Sequence, residues 1–202
     1  MAGVIGRCVT ILNLFVVNLI MSSVEKILPN YTYGEYCHWE GRWEIIEGIP
    51  YAMSPLPRLR HQEIAGNIYF EFKSALKNKG CICKAFLPLD YKISENTVLQ
   101  PDVLVVCNPE MDKKVLEKTP QVVVEVLSPS TVLKDRNSKF YIYQEEKIPY
   151  YIIIDVDKNE TEVYHLKEDG KYQVEKISTD LPYTFHLDAD CSVDVVLDNI
   201  WE

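Results

Sequence analysis

The chain has 202 residues, 21 Lys+Arg against 30 Asp+Glu, and a formal net charge of −9. Its length fits one domain, and 47% apolar residues exclude global disorder. The acidity excludes a basic coat for nucleic acid, yet it is uneven: residues 151–202 hold 4 basic and 13 acidic side chains, while residues 58–92 hold 7 basic against 3 acidic.

Residues 9–20 are apolar, follow Arg7, and imitate the h-region of a signal peptide. The run is shorter than the roughly 20 residues a spanning helix needs. Asn13 and Asn18 interrupt it, and no A-x-A-like cleavage site follows. It reads as an upstream translated extension or a packed N-terminal helix over 1–23, rather than a secretion signal, ahead of one domain over 24–202 and with no membrane role. The six cysteines, at 8, 37, 81, 83, 107 and 191, lack C-x-x-C spacing. They read as reduced thiols of a cytoplasmic protein rather than as zinc ligands or disulfides.

Residues 42–54 read as a hairpin turning at Glu47-Gly48. From Leu59 to Lys79 the period is helical: Ile64, Ile68, Phe72 and Leu76 recur every four residues, and Gly80 supplies a stop. Strands are predicted over 81–87, 89–94, 98–106 and 121–127. Val103–Val106 and Val122–Leu127 are continuous apolar runs, as in strands buried on both faces. Residues 108–120 form a polar connector. A second helix spans Leu133 to Lys147, and Pro149 leads into a strand over Tyr150–Asp155. A further hairpin turns at Lys167-Glu-Asp-Gly170. This order predicts an α/β fold with a mixed sheet flanked by helices.

Two acids sit where a solvated acid should not. Asp102 follows Pro101 at the mouth of an apolar strand, and Glu125 lies inside Val122–Leu127. A buried carboxylate must be paired, protonated or metal-bound. Two of them on adjacent strands would make a hard oxygen site for Mg²⁺ or Mn²⁺. The other reading is that each acid pairs with a core Lys or Arg, or lies at a strand end. His61 falls near the buried face of the first helix, one turn from its start, as a substrate contact or a core histidine. Glu47 beside Gly48 is either a supporting acid or turn chemistry. Arg58, Arg60, Lys73 and Lys77, with Lys79 and Lys84, are candidate phosphate contacts or a solvated helix face.

The pattern Pro101-Asp102 … Glu125-Val-Leu127 resembles the PD-(D/E)XK nuclease superfamily. A longer set of residues resembles the Uma-two family of restriction endonucleases within it. The set comprises Glu44-Ile-Ile-Glu-Gly48, Met53-Ser-Pro55, His61, Gln100-Pro-Asp-Val103, Ser128-Pro-Ser-Thr131, Asp135, Lys139, Tyr143 and Ile148–Asp155. The likeness covers about residues 30–170 and is loose beyond 180. It implies a restriction-endonuclease-like core with added β-hairpins. It also implies Asp102, Glu125 and the Val126 carbonyl as metal ligands. Lys139, His61, Asp102 and Glu125 would form the catalytic group, with Asp135 and Tyr143 in support. Position 127 departs from the pattern: the superfamily lysine is replaced by Leu127, and Lys139 on the following helix stands in for it.

The activity so implied is Mg²⁺- or Mn²⁺-dependent hydrolysis of phosphodiester bonds in duplex DNA, in a chain that could act as a homodimer. The alternative is a catalytically silent nucleic-acid-binding or interaction module on the same fold. A third reading is a small-molecule hydrolase reusing the carboxylates. Substrate would enter from the side of the 58–92 segment, away from the acidic hairpins.

Overall fold

The structure is a computed structural model that describes residues 28–53, 58–177 and 181–202. The apolar extension of residues 1–23 lies outside the described residues. Among the described residues no helix is long and apolar enough to cross a membrane.

In chain order the elements are α1 (Tyr33–Tyr36), β1 (Trp43–Ile46), β2 (Ile49–Ala52) and α2 (Leu59–Lys79). Then come β3 (Cys83–Phe86), β4 (Tyr91–Ser94), β5 (Thr97–Leu99), β6 (Val103–Cys107) and β7 (Val122–Val126). The next helix, α3, begins at Val132–Lys134, passes through a π turn at Asp135–Lys139 and ends at Phe140–Glu145. β8 (Tyr150–Asp155), β9 (Glu160–Leu166), β10 (Tyr172–Glu175), β11 (Tyr183–Asp188), β12 (Cys191–Val195) and a 3₁₀ turn over Leu197–Trp201 complete the chain.

Three sheets result. The largest has six strands in the order β10-β9-β8-β7-β6-β3, in which only β7 and β8 run parallel. A four-stranded sheet has the order β2-β1-β5-β4, and β11 pairs with β12. The β7–β8 pair needs a crossover, and α3 supplies it. The fold is mixed α/β, as the order of elements predicts.

α2 buries Ile64, Ala65, Ile68, Phe72 and Leu76, the stripe the fourfold spacing predicts. Gly80 ends the helix at φ 72°, where its N–H reaches the Leu76 and Lys77 carbonyls. The stripe packs with Val122, Val124 and Val126 of β7 and with Phe185 and Val193 of the C-terminal hairpin. Strand alternation turns Val123, Glu125 and Leu127 to the opposite face. There Val123 and Leu127 pack with Tyr143 of α3 and with Ile46 and Leu99 of the smaller sheet. Burying one such Leu or Phe contributes about 1.5–3 kcal/mol. Glu125 is therefore the acid of a face that is otherwise apolar and covered.

The predicted strand over 98–106 is two strands in two sheets. β5 pairs with β1 and β4, while β6 pairs with β3 and β7. Pro101 lacks an N–H and cannot continue a ladder. The break at Gln100-Pro101-Asp102 hands the chain from one sheet to the other and leaves Asp102 at the joint.

The expectation of reduced core thiols is also corrected. Cys81–Cys191 and Cys83–Cys107 are disulfides, and Cys37 is free and exposed. Cys83 and Cys107 stand opposite each other on antiparallel β3 and β6. Cys191 opens β12, which packs on the same core. Partners separated by 24 and 110 residues follow from strand pairing, which no spacing rule reveals.

Candidate active site

Four elements bring the polar residues together. β7 presents Glu125, the β5–β6 joint presents Asp102, α2 presents His61 in its first turn, and α3 presents Asp135 and Lys139 from its π turn. A fifth contribution comes from Glu44 on β1. Arg42, His61, Asp102, Glu125, Ser128 and Lys139 line one cleft of about 330 Å³.

Lys139 is 1% exposed and sits among three carboxylates. Its Nζ is 2.8 Å from Glu125 Oε1, 2.8 Å from Glu44 Oε1 and 3.4 Å from Asp135 Oδ1. Tyr143 donates its hydroxyl to the same Glu125 oxygen at 2.7 Å. Glu44 is 0% exposed, accepts the Gln100 backbone N–H at 2.9 Å, and pairs through its other oxygen with Lys134. The π turn matters here, because an inserted residue re-aims the side chains of one turn. It leaves Asp135 and Lys139 both buried, with Lys139 reaching Glu125 of β7 and Glu44 of β1 and Asp135 beside Lys139.

Burial and neighbouring charge set the protonation states. Lys139 is penalised by burial, yet Glu125, Glu44 and Asp135 outweigh this and hold its ammonium well above the usual lysine range. Glu125 is pushed well above the carboxylate range by burial, which Lys139 only partly offsets while Asp135, Asp102 and Glu44 add to it. Burial likewise raises Asp135. Glu44 behaves oppositely: burial would raise it, but Lys139 and Lys134 together draw it down.

Asp102 Oδ2 accepts the Val126 backbone N–H at 2.9 Å, and its own N–H reaches the Val124 carbonyl at 3.1 Å. The carboxylate is thereby pinned against the strand that carries Glu125. His61 Nε2 lies 3.4 Å from the same Asp102 oxygen. Burial disfavours the charged ring, but Asp102 and the Val126 backbone reverse this and raise the pKa of His61 above its ordinary value.

Among the described residues no three His, Cys, Asp or Glu side chains form a ready cation cage. The cleft offers instead two carboxylates, Asp102 and Glu125, and the adjacent Val126 backbone. One oxygen of each carboxylate is engaged by a protein donor, at Val126 N–H and at Lys139 and Tyr143. The other oxygen of each accepts no hydrogen bond among the described residues. An oxygen-only, net-negative donor set suits a hard divalent cation that keeps several waters, as Mg²⁺ does. Such a charge would also relieve the crowding of acids around Glu125.

The family model described as "Putative restriction endonuclease", Uma2, matches residues 32–189. The chain belongs to the Uma2 family. It is similar to the uncharacterized protein slr1290 of Synechocystis, at 31% identity over 163 residues, covering 77% of this chain and 85% of that one. Its fold is similar to the crystal structure of a putative nuclease belonging to DUF820 from Anabaena variabilis. The TM-score is 0.66 at 19% identity, with 84% of this chain and 97% of that one covered.

Within this Uma2 fold the residues singled out from sequence separate into two groups. Asp102, Glu125, Val126, Lys139, His61 and Arg58 line the cleft, and Asp135 and Tyr143 touch its polar cluster. Leu127 is buried in the apolar cluster beside Tyr143. Glu47 is exposed in the β1–β2 turn at φ 50° and does not line the cleft. Arg60 bonds Glu63 at 2.8 Å and the Trp201 carbonyl at 3.0 Å. Lys73 lies on the exposed side of α2, bonded to the Tyr69 hydroxyl at 2.9 Å. It stands roughly 18 Å along the axis from His61 at 1.5 Å per residue, and Lys77 is further still.

Four residues escaped sequence reasoning as site candidates: Arg42, which lines the Uma2 cleft, and Glu44, Lys134 and Gln100, which bond to its polar residues. Glu44 carried the signal that marked Glu125, an acid set among apolar residues. Its strand is only four residues long, too short for the pattern to stand out.

Proposed function

We propose that this chain is a divalent-metal-dependent endonuclease that hydrolyses phosphodiester bonds in duplex DNA. The observation that carries this reading is the convergence of Asp102 and Glu125, from neighbouring strands, on one cleft, with the buried Lys139 ammonium donating to Glu125 at 2.8 Å. The family description and the nuclease title of the solved relative support a nucleic acid as substrate.

Asp102, Glu125 and the Val126 carbonyl would hold Mg²⁺ or Mn²⁺, which when bound supplies Lewis acidity toward the phosphate and toward water. Lys139 fixes the orientation of Glu125 and supplies a permanent positive charge beside the reacting phosphoryl oxygens. Tyr143 holds Glu125 from the same side, and Asp135 and Glu44 hold Lys139. His61, whose pKa Asp102 raises, would contact a phosphoryl oxygen at the cleft mouth. Cutting both strands of a duplex takes two such sites, and a homodimer would supply them.

A second reading has one specific observation behind it. Leu127 fills the superfamily lysine position as a core residue, which favours a catalytically silent module that binds nucleic acid. Incubation with supercoiled plasmid separates the two. The proposal expects nicking with Mg²⁺ or Mn²⁺ and none after chelation. Salt-sensitive binding with no nicking in either metal would favour the silent module.

A further inference from the structure

The Arg42 guanidinium lines the cleft and makes no ion pair among the described residues. Arg42 stands immediately before β1, and alternation sets it on the same face as Glu44. Its Nε donates to Gln100 Oε1 at 3.1 Å. Gln100 is itself braced from behind, because its Nε2 donates to Asp90 Oδ1 at 2.6 Å and to the Tyr36 hydroxyl at 3.2 Å. The rear of the arginine fork is thus fixed by a chain of hydrogen bonds that ends outside the cleft.

The front of the fork is different. Arg42 Nη2 is buried and has no hydrogen-bond partner among the described residues. No ion pair joins Arg42 to a carboxylate among the described residues: Glu44 pairs with Lys134 and Lys139, Glu125 and Asp135 with Lys139, and Asp102 with His61. A guanidinium cannot shed its charge as a buried lysine can. A buried charged donor without a partner is costly, so its persistence beside an open cleft points to a missing anion.

We propose that Arg42 is a phosphate-binding residue, donating through Nη2 to a non-bridging oxygen of the phosphodiester that lies against Asp102 and Glu125. The ligand class is a tetrahedral phosphate oxyanion, for which the planar fork is better matched than an ammonium. For the diester this rests on the nuclease reading above; for the anion itself it does not.

Two measurements test it. In the first, a short DNA duplex is titrated into Asp102→Asn protein with and without Arg42→Gln. The expected result is at least about a tenfold loss of affinity and a log–log salt slope smaller by about one. Arg42→Lys, which keeps the charge and guards against a folding defect, should bind with intermediate affinity. In the second, inorganic phosphate is titrated into the wild-type protein and into Arg42→Gln, with the melting temperature as readout. A rise in the wild type that disappears in Arg42→Gln supports the assignment.

Equal phosphate shifts in both proteins, or none in either, overturn it, as does duplex affinity and slope unchanged by Arg42→Gln. If the duplex fails to bind while the Arg42-dependent phosphate shift persists, the nuclease reading fails and the Arg42 anion site stands.

Discussion

Lys139 carries one positive charge among Glu125, Glu44 and Asp135, all buried. Removing it leaves three buried carboxyl groups without the cation that balances them. Lys139→Ala is therefore expected to destabilise the fold by about 3–5 kcal/mol, read as a lower urea midpoint with little change in slope. It should also abolish cleavage. A variant as stable as wild type would mean that the ammonium is not what balances the cluster. His61 makes a separate statement about pH. Its folded pKa is raised above the ordinary histidine value by Asp102 and the Val126 backbone, against the effect of burial. The stability this contributes is fully present below the unfolded value of about 6.5 and is lost as pH rises through the folded value. His61→Gln should lose this dependence, so the wild-type advantage should shrink as pH rises above about 6.5. Parallel curves for the two proteins would contradict the pairing with Asp102.

At the scale of elements, the site depends on the hairpin β1–β2 as much as on the large sheet. Gly48 turns that hairpin at φ 80°, and a Cβ there would come within 2.7 Å of the Asn30 Cα. Gly48→Ala is expected to cost about 2 kcal/mol from the positive φ and the backbone clash. It should weaken activity further by displacing Glu44, four residues away. Unfolding by urea and a plasmid assay on the same preparation check both effects; no loss in either would remove the hairpin from the account of the site. These elements also explain what was legible in advance. The stripe Ile64, Ile68, Phe72 and Leu76 is local, so its period announces α2 and its buried face. Glu125 was legible because it interrupts a valine run. The strand 98–106 was misread because apolar residues flank Pro101 on both sides, and a proline break matters more than that continuity. Arg42 and Gln100 became site residues only through the pairing of β1 with β5, a contact between distant segments that no local pattern announces. The disulfides were hidden for the same reason.

At the scale of the molecule, the net charge of −9 belongs to residues 151–202, which build β8 to β12 and the last 3₁₀ turn. The cleft lies at the start of α2, where Arg58 and Arg42 both line it. On the nuclease proposal, this division leads us to expect weak nonspecific affinity for DNA and approach from the α2 side. The central claim is that Asp102 and Glu125 form a cation-dependent cleavage centre. The measurement that tests it most directly is conversion of supercoiled plasmid in Mg²⁺ or Mn²⁺ by the wild-type protein, Asp102→Asn and Glu125→Gln, with matched melting temperatures. The expected result is nicking by the wild type alone, abolished by chelator. Nicking that persists undiminished in both variants, or that ignores the chelator, would contradict it.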